Sequence, residues 1–182
     1  MKKLIKILFV ILIFSYSSLY SQNFLELNSN NAKVLFTYVS EETKGEISNV
    51  TAKIIIDSSN VSNSIIEGEL DISNLTTSNG IRDKHLKSKT YFHIKEYPKV
   101  KFKSQEIIIN KSSNDSIAPI SCKGILYMKG FKKMVTFDLY HSENSVKLTS
   151  KIYADDFGVA IKPGKENSLV EVEIIIEKYN DL

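Results

Sequence analysis

The sequence predicts an all-β protein: antiparallel strands closed into a barrel or packed as a sandwich, with one short helical interruption. Three observations predict it. From Lys33 onward apolar residues recur mostly at every second position, the period of a strand with one buried face. Clusters of Asn, Asp, Ser and Gly separate these runs at turn spacing. About eight such runs, each wet on one side, follow one another without a repeat or a linker, so a single domain is expected.

The N-terminus reads differently. MKKLIK is basic, ILFVILIF is apolar and SYSSLYS is small and polar, the layout of a secretory signal peptide over residues 1–21. The apolar run is shorter than the roughly 20 residues that cross a bilayer as a helix, so no transmembrane span is expected in the mature chain. Cleavage after Ser21 leaves 22–182 as the mature domain, periplasmic or secreted. The single cysteine, Cys122, is far from that point, which excludes a lipid-anchored cysteine there and any intramolecular disulfide. The leader's Lys2, Lys3 and Lys6 account for the whole formal charge of +3, so the remainder is neutral and carries no argument for nucleic acid.

The expected strands are 33–41, 44–57, 63–73, 99–110, 116–128, 132–141, 145–153 and 168–179. In IEGELDIS, Ile66, Gly68, Leu70 and Ile72 share one face against Glu67, Glu69, Asp71 and Ser73. Val100 and Phe102 alternate with Lys99, Lys101 and Lys103, and Val135, Phe137 and Leu139 with Thr136 and Asp138. Val146, Leu148 and Ile152 alternate with Lys147, Thr149 and Lys151, and Val170, Val172, Ile174 and Ile176 with Glu171, Glu173 and Glu177. Turn chemistry stands at 57–60, 110–115, Lys129-Gly130 and Glu143-Asn144.

Between Asn74 and Pro98 the alternation stops. Ser78 or Asn79 is placed to cap a short helix reaching Lys89, with Asp83 near its positive end, and Tyr91-Phe92 supplies an apolar contact. The helical insertion is expected around 79–92, covering the end of the strands. On the inward faces Ala52, Gly68, Ser104, Cys122, Gly124 and Ser150 interrupt the large side chains. Such residues either fit the taper of a small barrel or leave an apolar tunnel, whose natural guest is a long hydrocarbon chain.

The stretch Thr77–Leu86 (TSNGIRDKHL), then Tyr91-Phe92, Tyr97-Pro98 and Phe102-Lys-Ser104, resembles the central signature of the YceI-like family. Gly124-Ile-Leu126 with Gly130, and Asp156-Phe157-Gly158-Val159 with Val170-Glu-Val172, resemble its later hairpin, loop and last strand. One departure is at the first strand: Asn31–Phe36 keeps the aromatic at Phe36 but lacks the histidine usual in the family. The resemblance implies an eight-stranded lipocalin-like barrel, exported, that holds a polyprenyl chain or an isoprenoid quinone in an apolar tunnel. A carrier, reservoir or stress-related sequestering role follows, with the lipid as ligand, no other cofactor and no enzymatic activity. The oligomeric state stays open, a homodimer included.

On the alternation, the expected tunnel wall is Phe36, Tyr38, Ile54, Leu70, Phe102, Leu126, Phe137 and Leu148. Arg82, Asp83, His85, Phe92 and Phe157 are expected at the rim, with Arg82 the side chain best suited to a phosphate or quinone oxygen. Lys162 and Lys165, on the loop after Phe157, are placed to approach an anionic head. The plainer alternative for 78–92 is a structural cover held by ion pairs. A hydrolase-like or other enzyme using Arg82, Asp83 and His85 is the functional alternative, although no Ser or Cys nucleophile accompanies them. An outer-membrane barrel would need the apolar faces outward. His85, His93 and His141 lack metal-ligand spacing, so no metal site is expected, and Cys122 reads as a buried small residue.

Overall fold

The computed structural model describes residues 23–27, 31–57, 60–109, 120–141, 145–159 and 161–177. The expected leader and the turns at 110–115 and 143–144 lie outside the described residues. Ten strands are present among the described residues: β1 (Asn23–Leu27), β2 (Ala32–Tyr38), β3 (Thr43–Ile47), β4 (Val50–Ile56) and β5 (Ile65–Asp71), then β6 (Lys99–Ile109), β7 (Ile120–Met128), β8 (Phe131–His141), β9 (Ser145–Tyr153) and β10 (Leu169–Glu177). One helix, α1 (Gly80–Lys87), is inserted between β5 and β6. The strands form one sheet in the order β1-β4-β5-β6-β7-β8-β9-β10-β2-β3, with every neighbouring pair antiparallel.

The single sheet decides between barrel and sandwich. Its curl follows from β3 and β4, which run in the same direction because each is antiparallel to its neighbours along the chain of pairings. They are one run of chain bent at Ser48-Asn49, where Asn49 takes the left-handed conformation at φ 60°. That run supplies an edge strand at one end of the ladder and the second strand at the other, so the sheet turns back on itself. The predicted strand 44–57 is therefore one run in two pieces. The other difference from the predicted eight strands is β1, paired with β4 from Asn23↔Ile56 to Leu27↔Ala52, ahead of where the alternation was read. The free edge of β3 is covered by Thr76, whose backbone exchanges hydrogen bonds of 2.9 and 3.0 Å with Glu46, a protection that exposed sheet edges need.

The two faces of the sheet separate as the pattern requires. Outward, Glu67 pairs with Lys103, Glu69 with Lys99 and Lys101, Glu171 with Lys151 and Glu173 with Lys147. These are exposed cross-strand pairs, each contributing about 0–1 kcal/mol. They show where the neutral charge balance resides rather than what stabilises the fold. Inward, Val34, Ile54, Ile66, Val100, Leu126, Phe137, Leu148, Ile152 and Ile176 join one core cluster, with Phe102 edge-on to Phe137 at 5.1 Å between ring centroids. The β7–β8 turn is Lys129-Gly130, both residues at positive φ (50° and 79°), the two-residue geometry that matches strand twist.

The small inward residues divide into two groups. Ser104 sits where β6 slips register and accepts a hydrogen bond from the Ile66 amide at 2.8 Å. Ser150 donates to the Thr136 carbonyl at 2.8 Å, where the β8–β9 ladder has already ended at Asp138. At Gly124 an added Cβ would collide with the Lys103 carbonyl and meet the Phe102 ring at 2.6 Å, so a neighbouring aromatic occupies its space. Cys122 is fully buried, and desolvation pushes its thiol up to about 11, which leaves little thiolate at neutral pH. These four serve pairing and packing. Ala52 and Gly68 do something else.

Candidate functional site

Curling the sheet encloses a cavity of about 510 Å³ whose lining comes from strands β2 to β10 except for the outward faces. All eight expected wall residues, Phe36, Tyr38, Ile54, Leu70, Phe102, Leu126, Phe137 and Leu148, lie on it. Ala52 and Gly68 line it too, paired with each other across β4 and β5, and a Cβ built on Gly68 finds only the Thr51 carbonyl at 3.8 Å. Tunnel and taper are thus both realised, by different small residues. Val172, Ile174 and Ile176 complete the wall on β10. Their alternation is visible in the sequence, but nothing there places the last strand against β2.

One end of the cavity is polar. The connections β2–β3, β5–β6, β7–β8 and β9–β10 all fall at that end, as the antiparallel order dictates. Glu41, Thr43, Asn79, Ile81, Arg82, His85, Tyr91 and Phe92 line the cavity there. Most of these come from α1 and its tail. Asn79 caps the helix, its side-chain oxygen accepting from the Arg82 amide at 3.1 Å. The helix stops at Lys87, two residues short of the expected Lys89, and the chain folds back so that the Phe92 amide bonds the Leu86 carbonyl at 3.0 Å. That return carries Phe92 against the core.

Arg82 and Asp83 hold this cover in place without pairing to one another, the described contacts of both converging on Thr77. Arg82 Nε donates to Thr77 Oγ1 at 2.8 Å and a terminal nitrogen donates to the Thr77 carbonyl at 2.9 Å, with a longer 3.5 Å contact to Thr43 Oγ1 on β3. Asp83 accepts from the Thr77 amide at 2.8 Å, Thr77 Oγ1 at 2.5 Å and Thr76 Oγ1 at 3.0 Å. Burial pushes the Asp83 carboxyl up, but the hydrogen bonds from Thr77 and Thr76 outweigh it and hold the group below its ordinary value. The structural cover is therefore held by a hydrogen-bond clasp, where ion pairs were expected.

Two rim expectations are corrected. Asp83 does not line the cavity, because its carboxylate is turned onto Thr76 and Thr77. Phe157 does not line it either: it is 1% exposed, packed in the core at the end of a short 3-10 turn (Ala154–Phe157) that Gly158 closes at φ 65°. Arg82, His85 and Phe92 do line it. The lysines expected to approach a head group are engaged elsewhere, Lys162 with Glu41 at 3.2 Å and Lys165 with Asp156 at 2.7 Å. A cation the sequence reading passed over, Lys129, donates to the carbonyls of Thr90 and Gly158, tying the helical tail to the β9–β10 loop, and burial lowers its pKa. Among the described residues no group of three or more His, Cys, Asp or Glu is placed to hold a metal ion.

Fold and site together define a curled antiparallel sheet wrapped around one apolar cavity, with a helical cover at its polar end. The chain belongs to the YceI-like family, whose domain model matches residues 25–178. A UPF0312 protein of Pseudomonas putida strain F1 is 30% identical over 131 residues, which are 66% of this chain and 65% of that protein. The chain thus spans slightly less than two thirds of the curated relative's length. Among solved structures, BcnA of Burkholderia cenocepacia superposes with a TM-score of 0.63 at 15% identity, covering 82% of this chain and 96% of BcnA. A polyisoprenoid binding domain from Saccharophagus degradans, implicated in plant cell wall breakdown, gives a TM-score of 0.54 at 7% identity, covering 86% of this chain and 98% of that domain. At these identities the likeness is one of fold.

Proposed function

We propose that this protein is an exported binder of an isoprenoid-type lipid, a polyprenyl chain or an isoprenoid quinone, held in the cavity as carrier, reservoir or sequestered pool. The observation that carries the reading is the cavity of about 510 Å³ with an apolar wall and polar groups gathered at one end. Its size falls within the roughly 300–1,000 Å³ usual for small-molecule sites. Its polarity is that of an amphiphile with a long tail and a small head. Membership of the YceI-like family and the fold shared with a polyisoprenoid binding domain support the same reading. Export rests on the basic, apolar and polar layout of residues 1–21.

The polar end favours an uncharged head. Glu41 stands in the lining with its charge met by Lys162, Arg82 is already bonded to Thr77, and no lysine is among the lining residues. A quinone or alcohol oxygen meets less opposition there than a phosphate. The acid–base alternative has less support, since the Asp83 carboxylate is occupied by Thr76 and Thr77 and faces away from the cavity.

Calorimetric titration of delipidated protein with quinones of increasing isoprenoid tail tests the reading. Affinity should rise with tail length, by up to about 0.8 kcal/mol per buried methylene, with a negative heat-capacity change. An affinity that ignores the tail would sink it.

A further inference from the structure

We propose that the polar end of the barrel docks on an anionic phospholipid surface through Ile81 and the unpaired lysines of the helical cover. The inference rests on the lipid-binding reading, because a cargo that is nearly insoluble in water has to enter from a bilayer. Its evidence is a division of labour on α1. Arg82, Asp83 and Leu86 face the clasp and the core. Ile81, Lys84, His85 and Ser88 are three and four residues apart, share the other face, and are all exposed.

Ile81 is 75% exposed, the most exposed of the large hydrophobic residues among those described, and it also lines the cavity mouth. A lone exposed isoleucine is ordinary on a protein surface; the charge around this one is not. Between Gly80 and Glu96 the chain carries five cations, Arg82, Lys84, Lys87, Lys89 and Lys95, against two carboxylates, Asp83, which the clasp consumes, and Glu96, which lies 3.3 Å from His93. Lys84, Lys89 and Lys95 are exposed and have no ion-pair partner among the described residues, whereas five lysines of the sheet's outer face pair with glutamates. The chain after residue 21 is neutral overall, so this excess is local to the cover. An exposed apolar side chain on a cover that carries unpaired lysines suits the interface of an anionic leaflet, where the charges hold the protein and the isoleucine enters the acyl boundary. Bound in that way, the cavity mouth opens towards the lipid.

The test is co-sedimentation of the mature chain with vesicles of phosphatidylcholine alone, and of phosphatidylcholine mixed equally with phosphatidylglycerol. Binding is expected on the anionic vesicles only, and should weaken as salt is raised. Lys84→Gln with Lys89→Gln should lower the partition coefficient about twenty-five-fold, each lysine contributing about fivefold. Ile81→Ser should lower it about tenfold, and Lys123→Gln, on the outward face of β7, should leave it unchanged. Equal partition onto both vesicle types, no partition onto either, or variants indistinguishable from Lys123→Gln would overturn the docking surface. Lipid held in the cavity is assayed separately by organic extraction. A protein that holds lipid but ignores anionic vesicles contradicts this inference alone. One that docks through Ile81 but never holds lipid contradicts the binding reading alone.

Discussion

Replacing Gly68 by leucine is expected to cost about a hundredfold in affinity for a long-chain lipid while leaving the fold at least as stable. Gly68 lies on the cavity wall opposite Ala52, and its missing side chain leaves open space: a Cβ there reaches only the Thr51 carbonyl, at 3.8 Å. Leucine's roughly four side-chain carbons displace a similar number of ligand methylenes at about 0.8 kcal/mol each, near 3 kcal/mol in total. The same substitution relieves the entropic penalty of glycine inside a strand, about 0.5–1 kcal/mol, and fills a void with apolar atoms. Thermal unfolding and lipid titration of the variant should therefore diverge, with Tm unchanged or raised and binding lost. A variant that binds as the wild type does would show that the lipid lies elsewhere. One that unfolds would show that the space is not free.

Asp83→Ala is expected to act in the opposite way, lowering stability by about 2–4 kcal/mol without touching the cavity wall. The substitution removes three hydrogen bonds to a charged acceptor and leaves the buried Thr77 amide and hydroxyl short of a partner. The effect carries a pH signature. The folded-state pKa is depressed, so the stabilisation is complete above the unfolded value, about 3.9. It disappears as pH falls through the lower folded value. The gap in unfolding free energy between wild type and variant should be flat above pH of about 5 and close progressively below about 4. A gap that is absent at neutral pH would contradict the clasp. If the gap persisted undiminished in strong acid, the carboxylate would not be its source.

The sheet was legible because alternation is a direct imprint of a two-faced surface. Val170, Val172, Ile174 and Ile176 opposed to Glu171 and Glu173 admit one orientation once one face is buried. The bend at Asn49 was not legible, since its left-handed backbone matters only when β3 and β4 have different neighbours. The wall residues were readable for the same reason as the strands. The role of each small residue was not: Gly68 and Gly124 look alike in sequence, yet one faces empty space and the other the Phe102 ring. At the rim, the motif containing Arg82, Asp83 and His85 signalled a special stretch correctly, but composition could not divide it. Thr77, which the sequence marks only as the start of that motif, takes both Arg82 and Asp83 into the scaffold. Ile81 and His85 are left at the mouth. Phe157 is expected at the rim as the anchor of the loop that carries Lys162 and Lys165; its 3-10 turn folds it into the core instead.

The measurement that bears most directly on the central claim is mass spectrometry of an organic extract of the mature protein, purified from its native compartment without detergent. A single isoprenoid lipid at close to one per chain, uncharged in its head and absent from the Gly68→Leu variant prepared in parallel, is the predicted result. An extract without isoprenoid lipid, from protein that also takes up none when offered quinones or polyprenols, would contradict it and leave the cavity without the cargo assigned to it here.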